Sequence, residues 1–144
     1  DILDGGAGND TLDGGLGNDR YLFGKGWGQD SLIDNDATAG NTDTVVFDAD
    51  PLELTFSRSG SNLRIGRTGS GDSLTLQKWY SGTNYQTEVF QTTDGHQLLN
   101  NQVNLLIQAM AGFGAQSGLS WEQAAQTHPD DAQALLAAYW KPAA

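Results

Sequence analysis

The sequence predicts a mainly β chain: a short parallel β-roll, capped by an antiparallel β segment and followed by a C-terminal helical tail. Three observations carry this. Glycine, Asp and an apolar residue recur together every nine positions near the start, as Gly5 and Gly14, Asp10 and Asp19, Leu12 and Tyr21. Apolar and polar residues alternate over much of 51–99, and from Asn101 the apolar spacing turns helical. The expected segments are 1–50 for the roll, 51–99 for the cap and 100–144 for the tail.

A period of nine fits neither a helix nor a plain strand. Each unit reads instead as a glycine-rich turn, one Asp and a very short strand. Gly5-Gly6-Ala7-Gly8-Asn9-Asp10 leads into Thr11-Leu12-Asp13, and Gly14-Gly15-Leu16-Gly17-Asn18-Asp19 leads into Arg20-Tyr21-Leu22. Glycines permit the positive φ and close backbone approach such turns need. Two units make one coil, so turns of alternate units stack along one edge. The repeat then decays. Residues 24–33 keep Gly26, Gly28, Asp30 and Leu32; residues 39–47 keep Gly40, Asp43 and Val45, with Asn41 where the inner glycine stood. Alternate stacking sets the Asp10 turn against the Asp30 turn, and the Asp19 turn against the Asp43 turn. The phase also runs back to Asp1 and Leu3, so the chain reads as a piece of a longer protein.

The charge follows the repeat. The chain carries a net −11, and residues 1–50 hold eleven Asp against two bases. Such acidity opposes nucleic-acid binding, which needs a basic surface. There is no cysteine, hence no disulfide or thiolate site, and no apolar run long enough to span a bilayer. One carboxylate per stacked turn is repulsive on its own. A hard cation between the turns reverses that sign. Calcium takes six to eight oxygens at about 2.3–2.6 Å, from carboxylates and carbonyls, and glycine turns with one Asp each offer that set. Asp34 and Asp36 follow the third unit as extra ligands or solvated loop acids; Asp34 is read as a loop acid and Asp36 is kept among the candidates. The "DND" at 34–36 lacks the glycine and distal Glu of an EF-hand. A dinucleotide loop is excluded because strands, not helices, follow the glycines.

These residues resemble the RTX, or haemolysin-type calcium-binding, nonapeptide repeat, G-G-x-G-x-D-x-(apolar)-x. The stretch from "TDTVVF" to "DGHQL" resembles the associated domain that closes many such rolls. The resemblance implies calcium held by Asp side chains and loop carbonyls of stacked turns. The matching positions are Gly5, Gly6, Gly8 and Asp10; Gly14, Gly15, Gly17 and Asp19; and Gly26, Gly28 and Asp30, with Asp43 in the degenerate fourth turn. It also implies a secreted protein of a Gram-negative bacterium, with calcium ions, upstream domains and a type I secretion apparatus as partners, and a calcium-triggered folding role.

In the middle segment, Leu52, Leu54 and Phe56, then Leu63 and Ile65, then Leu74 and Leu76 share one face of an antiparallel meander. Two coils are too few to bury a continuous core, so the roll needs this cap, with Leu52, Leu54 and Phe56 covering the end after Val45-Val46-Phe47. Trp79, Tyr80 and Tyr85 are core aromatics or, alternatively, a sugar-binding face of an adhesion module. In the tail, Val103, Leu106, Ile107, Met110 and Phe113 lie on one helical face that weakens at Gly112 and Gly114 and breaks at "AQSG". Ser120 with Gln123 fits a capping box, and Pro129 with Asp130 and Asp131 suits a helix start. These helices either pack on the cap or move freely. The tail is similar to the export ends of type I secreted RTX proteins. No catalytic constellation appears: His96 reads as a turn residue, His128 as a helix cap, and "TGSGDS" is not a nucleophile elbow. The chain is expected to be no enzyme, though it can be the non-catalytic part of a secreted hydrolase.

Overall fold

The computed structural model describes residues 2–35, 42–68 and 70–142. The glycine turns send the chain back and forth between two sheets. Strands β1 (Ile2–Asp4), β3 (Arg20–Phe23) and β5 (Thr44–Phe47) pair in parallel in one sheet. Strands β2 (Thr11–Leu12) and β4 (Gln29–Leu32) pair in parallel in the other. The register stacks like on like: Leu12 beside Leu32, Tyr21 beside Val45, Phe23 beside Phe47. All six side chains are buried. Strands β2 and β4 bury one such residue each and β3 and β5 two, and each is completed by its equivalent one coil on.

The cap contains an antiparallel meander, β6 (Leu54–Ser59), β7 (Asn62–Arg67) and β8 (Ser73–Leu76), then a hairpin of β9 (Val89–Thr92) and β10 (His96–Leu99) turning at Asp94-Gly95. It does not lie over the roll as a lid of side chains. Strand β8 pairs in parallel with β4, and β9 in parallel with β5, so the cap prolongs both sheets. The end after Val45-Val46-Phe47 is closed by Val89–Thr92, whereas Leu54 and Phe56 belong to the opposite sheet. The physical reason is that a parallel edge presents N–H and C=O groups that apolar side chains cannot satisfy and another strand can.

The tail packs. Helix α1 (Val103–Ser117) runs through Gly112 and Gly114 and stops within the expected break, at Gly118 in the left-handed region, φ 68°. Gly114 is needed where the chain reverses: a side chain there would strike the Leu119 carbonyl, and the Leu119 amide donates to the Gly114 carbonyl at 2.9 Å. Helix α2 (Trp121–Thr127) starts on the Ser120–Gln123 capping box, and α3 (Pro129–Ala137) starts on Pro129. Strand β11 (Lys141–Pro142) then joins β10 antiparallel. One buried cluster runs from Leu12 and Tyr21 through Phe56 and Phe90 to Trp121, Leu136 and Trp140. Trp140 meets Phe56 edge-on at 6.0 Å, and Phe56 meets Phe90 edge-on at 5.7 Å.

Candidate metal centre

The predicted stacking pairs are brought together. On one side, the Asp10 amide donates to Asp30 Oδ1 at 2.8 Å. On the other, the Asp19 amide donates to Asp43 Oδ1 at 2.8 Å. The two stacks belong to different sheets, so they form two separate columns. The Asn of each "GND" ties the same turns from the opposite direction: Asn9 Oδ1 accepts from the Gln29 amide at 3.0 Å and Asn18 Oδ1 from the Thr42 amide at 2.7 Å. These asparagines were not among the candidates, although both "GND" triplets carry one.

The candidate glycines line these turns. Gly6, Gly8, Gly15, Gly17, Gly26 and Gly28 all have positive φ. Gly5 and Gly14 back directly onto the Asp10 and Asp19 carboxylates, leaving no room for a side chain. Gly28 is the most constrained: φ is 88°, and a side chain would collide with the Gly8 carbonyl one coil below. The stacked turns thus touch backbone to backbone. Asp36 lies outside the described residues, as do Gly40 and Asn41.

Oxygen chemistry at these turns fits a hard cation. Asp19, Asp30 and Asp43 are almost wholly buried and Asp10 half-buried. The second carboxylate oxygens of Asp10 and Asp30 are buried with no hydrogen-bond partner among the described residues. Burial pushes the Asp30 carboxyl above the ordinary carboxylate range, and the Asp10 and Asp72 charges add to this, while the Asp10 amide opposes it. Orphaned buried carboxylate oxygens are costly. Calcium bound between the turns would be held by Asp10 and Asp30, and by Asp19 and Asp43, supplying the positive charge the columns lack. Behind the second column, the Tyr21 hydroxyl accepts from the Gly14 amide at 3.0 Å. Burial, followed by the Asp34 charge, drives that phenol upward from its ordinary pKa.

Three further acids join the columns, two of them, Glu88 and Asp72, unmarked as site residues in the sequence. Glu88 stands in register above Asp43, whose amide donates to Glu88 Oε1 at 3.4 Å. Asp34, expected as a solvated loop acid, is 1% exposed. Its carboxylate oxygen lies with those of Asp43 and Glu88, all three within 4.8 Å of one another. Burial, then contact with Asp43, then the charges of Asp43, Glu88 and Asp19 push the Asp34 carboxyl far up. Asp72 closes the other column differently. Its carboxylate accepts from the Gly26 and Gly28 amides at 2.8 and 3.1 Å and pairs with Arg67 at 3.5 Å.

Elsewhere, Trp79 is buried against Phe90 at 5.6 Å, and Tyr80 lies beneath the Arg58 guanidinium at 4.1 Å and donates to Asn104. His96 Nδ1 sits 3.0 Å from Asp94 at the β9–β10 turn. His128 stands at the start of α3, where its carbonyl accepts from Ala132 and its side chain makes no capping bond. No described helix is long and apolar enough to cross a membrane. In comparison with known families, residues 1–32 match the RTX calcium-binding nonapeptide repeat (4 copies), and residues 62–102 match the haemolysin-type calcium binding protein related domain.

Proposed function

The chain belongs to the RTX calcium-binding repeat proteins, and from that premise we propose that it is a module whose folding is switched on by extracellular calcium. The observation that carries this reading is the pair of carboxylate columns, with buried Asp10 and Asp30 oxygens that have no partner among the described residues. Inside a cell, free calcium lies far below the Kd of weak extracellular sites, about 10⁻⁴–10⁻³ M. The columns then repel themselves and the chain stays unfolded. Outside, calcium at ten times Kd adds roughly 1.4 kcal/mol per independent site. Sites that share Asp columns fill together and tip a marginal fold.

Unfolding inside and folding outside suit a protein exported by a type I apparatus from a Gram-negative bacterium. The amphipathic tail supports this, with Val103, Leu106 and Met110 facing the cap. We assign the module no catalytic role; the parent protein's activity, whether of toxin, hydrolase or adhesin, belongs to other parts of it. Far-ultraviolet circular dichroism tests the switch. The chain in chelator should lack most β signal, millimolar calcium should restore it cooperatively, and magnesium should not, because it demands a smaller octahedral shell. A β spectrum unchanged by excess chelator would overturn the reading.

A further inference from the structure

The two carboxylate columns end in different ways where the roll meets the cap. On the Asp10–Asp30 side the protein supplies its own cation: Asp72 sits above Gly26 and Gly28 and pairs with Arg67, which also reaches Glu53 at 3.4 Å. On the Asp19–Asp43 side the column ends in Asp34, Asp43 and Glu88. The charges that act on Asp34 there include those of Asp43, Glu88 and Asp19. Asp34 is buried to 1% exposure, yet neither of its oxygens has a hydrogen-bond partner among the described residues. It is aimed into the cluster and held there from behind, since the neighbouring Asn35 side chain accepts from Asn84 of the cap at 2.8 Å. Carboxylates meeting oxygen to oxygen attract only through a shared proton or a cation.

We propose that Asp34, Asp43 and Glu88 form a calcium site of their own, at the seam between roll and cap, distinct from the glycine-turn sites. Three oxygens within 4.8 Å of one another all lie within about 2.8 Å of a common point, a span that admits calcium–oxygen bonds of 2.3–2.6 Å. Three carboxylates give a charge that a divalent ion offsets to a small remainder. The three ligands come from three places: the loop after β4, the last turn before β5, and the entry to β9. An ion here joins the cap to the roll directly; on the other side that joint is Asp72 on the Gly26 and Gly28 amides, with Arg67 balancing its charge. The site shares Asp43 with the turn column, so it rests partly on the calcium reading, but Asp34 and Glu88 belong to no repeat.

The test is the number of calcium ions bound per chain at saturation, by equilibrium dialysis of the whole chain, for the native sequence, Asp34→Asn, Glu88→Gln and the double variant. The expected result is one ion fewer in each single variant and no further loss in the double. Glu88→Gln, only half-buried at the cap side, carries the test if Asp34→Asn fails to fold. Equal ion counts in native and variant chains would overturn the site and identify a shared proton between Asp34 and Asp43, leaving the turn sites standing. No calcium bound by the native chain would overturn this site and the folding switch together.

Discussion

Asp30 does two jobs with one carboxylate: Oδ1 accepts the Asp10 amide at 2.8 Å, while Oδ2 stays buried with no described partner. The first oxygen joins neighbouring coils with or without an ion; the second needs the ion. The two roles are separable by substitution. Asp30→Asn keeps an acceptor for the Asp10 amide and loses the charge, whereas Asp30→Ala loses both. Both variants should raise the calcium midpoint for folding. At saturating calcium, Asp30→Ala should be less stable than Asp30→Asn by about 0.5–1.5 kcal/mol, the net worth of one hydrogen bond. Equal stability in urea titration would show that the amide contact contributes nothing.

Asp19→Ala should shift the calcium midpoint more than Asp94→Ala. Asp19 is 1% exposed inside its column. Asp94 accepts from the Thr92 hydroxyl and lies beside His96 in a hairpin turn. Although burial opposes it, these contacts hold the Asp94 carboxyl below its usual range. A depressed carboxyl contributes stability above its unfolded pKa and loses it as pH falls through the folded value. Asp94→Ala should therefore weaken the hairpin at neutral pH, less so in strong acid, and leave calcium cooperativity intact. Calcium titrations followed by circular dichroism separate the two variants.

Gly28→Ala should destabilise the roll by more than 1–2 kcal/mol, the approximate cost of a left-handed residue with a side chain, because the added carbon also meets the Gly8 carbonyl. Gly24→Ala is the control: open space surrounds it and its φ is not positive. Its effect should stay within about 0.5 kcal/mol. Thermal unfolding in calcium should show a clearly lower Tm for Gly28→Ala alone.

Acid should partly replace calcium. Burial, foremost, raises both Asp30 and Asp34 in the calcium-free fold, against an unfolded value of about 3.9. A raised carboxyl stabilises the fold fully below the unfolded pKa, and that contribution is lost as pH rises through the folded pKa. In chelator, β signal should therefore be greater near pH 5 than near pH 8. With saturating calcium the trend should vanish or invert, since protons then compete with the ion. Loss of β signal on acidification in chelator would contradict the assignment of these buried acids.

The stacking of Asp10 on Asp30 and Asp19 on Asp43 is legible because each unit repeats the phase acid–x–apolar, as in Asp19-Arg20-Tyr21. The same phase recurs in Glu88-Val89-Phe90, a signal that marks the next rung but is hidden by a Glu and by the absence of glycines. Asp72-Ser73-Leu74 shows the phase too, yet β8 sits two residues further along: Leu76, not Leu74, pairs with Leu32, and Asp72 reaches the Gly26 and Gly28 amides instead. Asp34 has no local signal at all. Its burial is decided by β9, which arrives from more than fifty residues away. The helix face from Val103 to Phe113 was legible, and so was its stop within Ala115-Gln116-Ser117-Gly118; that Gly112 and Gly114 would not fray it was not, because packing outweighs roughly 1 kcal/mol of glycine cost per residue.

Trp140→Ala should cost about 3–5 kcal/mol, since this ring is buried against Phe56. The same packing means that the tail cannot be docked and engaged by an exporter at once. Residues 101–144 fused to the end of a reporter should direct its export through a matched type I system, with Trp140→Ala exported at least as well as the native tail. Retention of the native fusion in cells with a working exporter would refute the role in export.

The parallel pairing of β5 with β9 has a kinetic consequence. Arg20 pairs with Thr44 across 24 positions, but Thr44 pairs with Val89 across 45. In topological terms the cap is one more coil of the roll, with the β6–β7 hairpin spliced into it. Closing the longer loop adds only about 0.6 kcal/mol of entropy per doubling of length, so the insertion is cheap at equilibrium. It weighs more on the path, because non-local parallel pairs form late. The coils between β1 and β5, too few to bury a core by themselves, persist only once β9 arrives, so its arrival sets the pace. After a calcium jump, β signal and the burial of Trp79 should rise together in one slow phase.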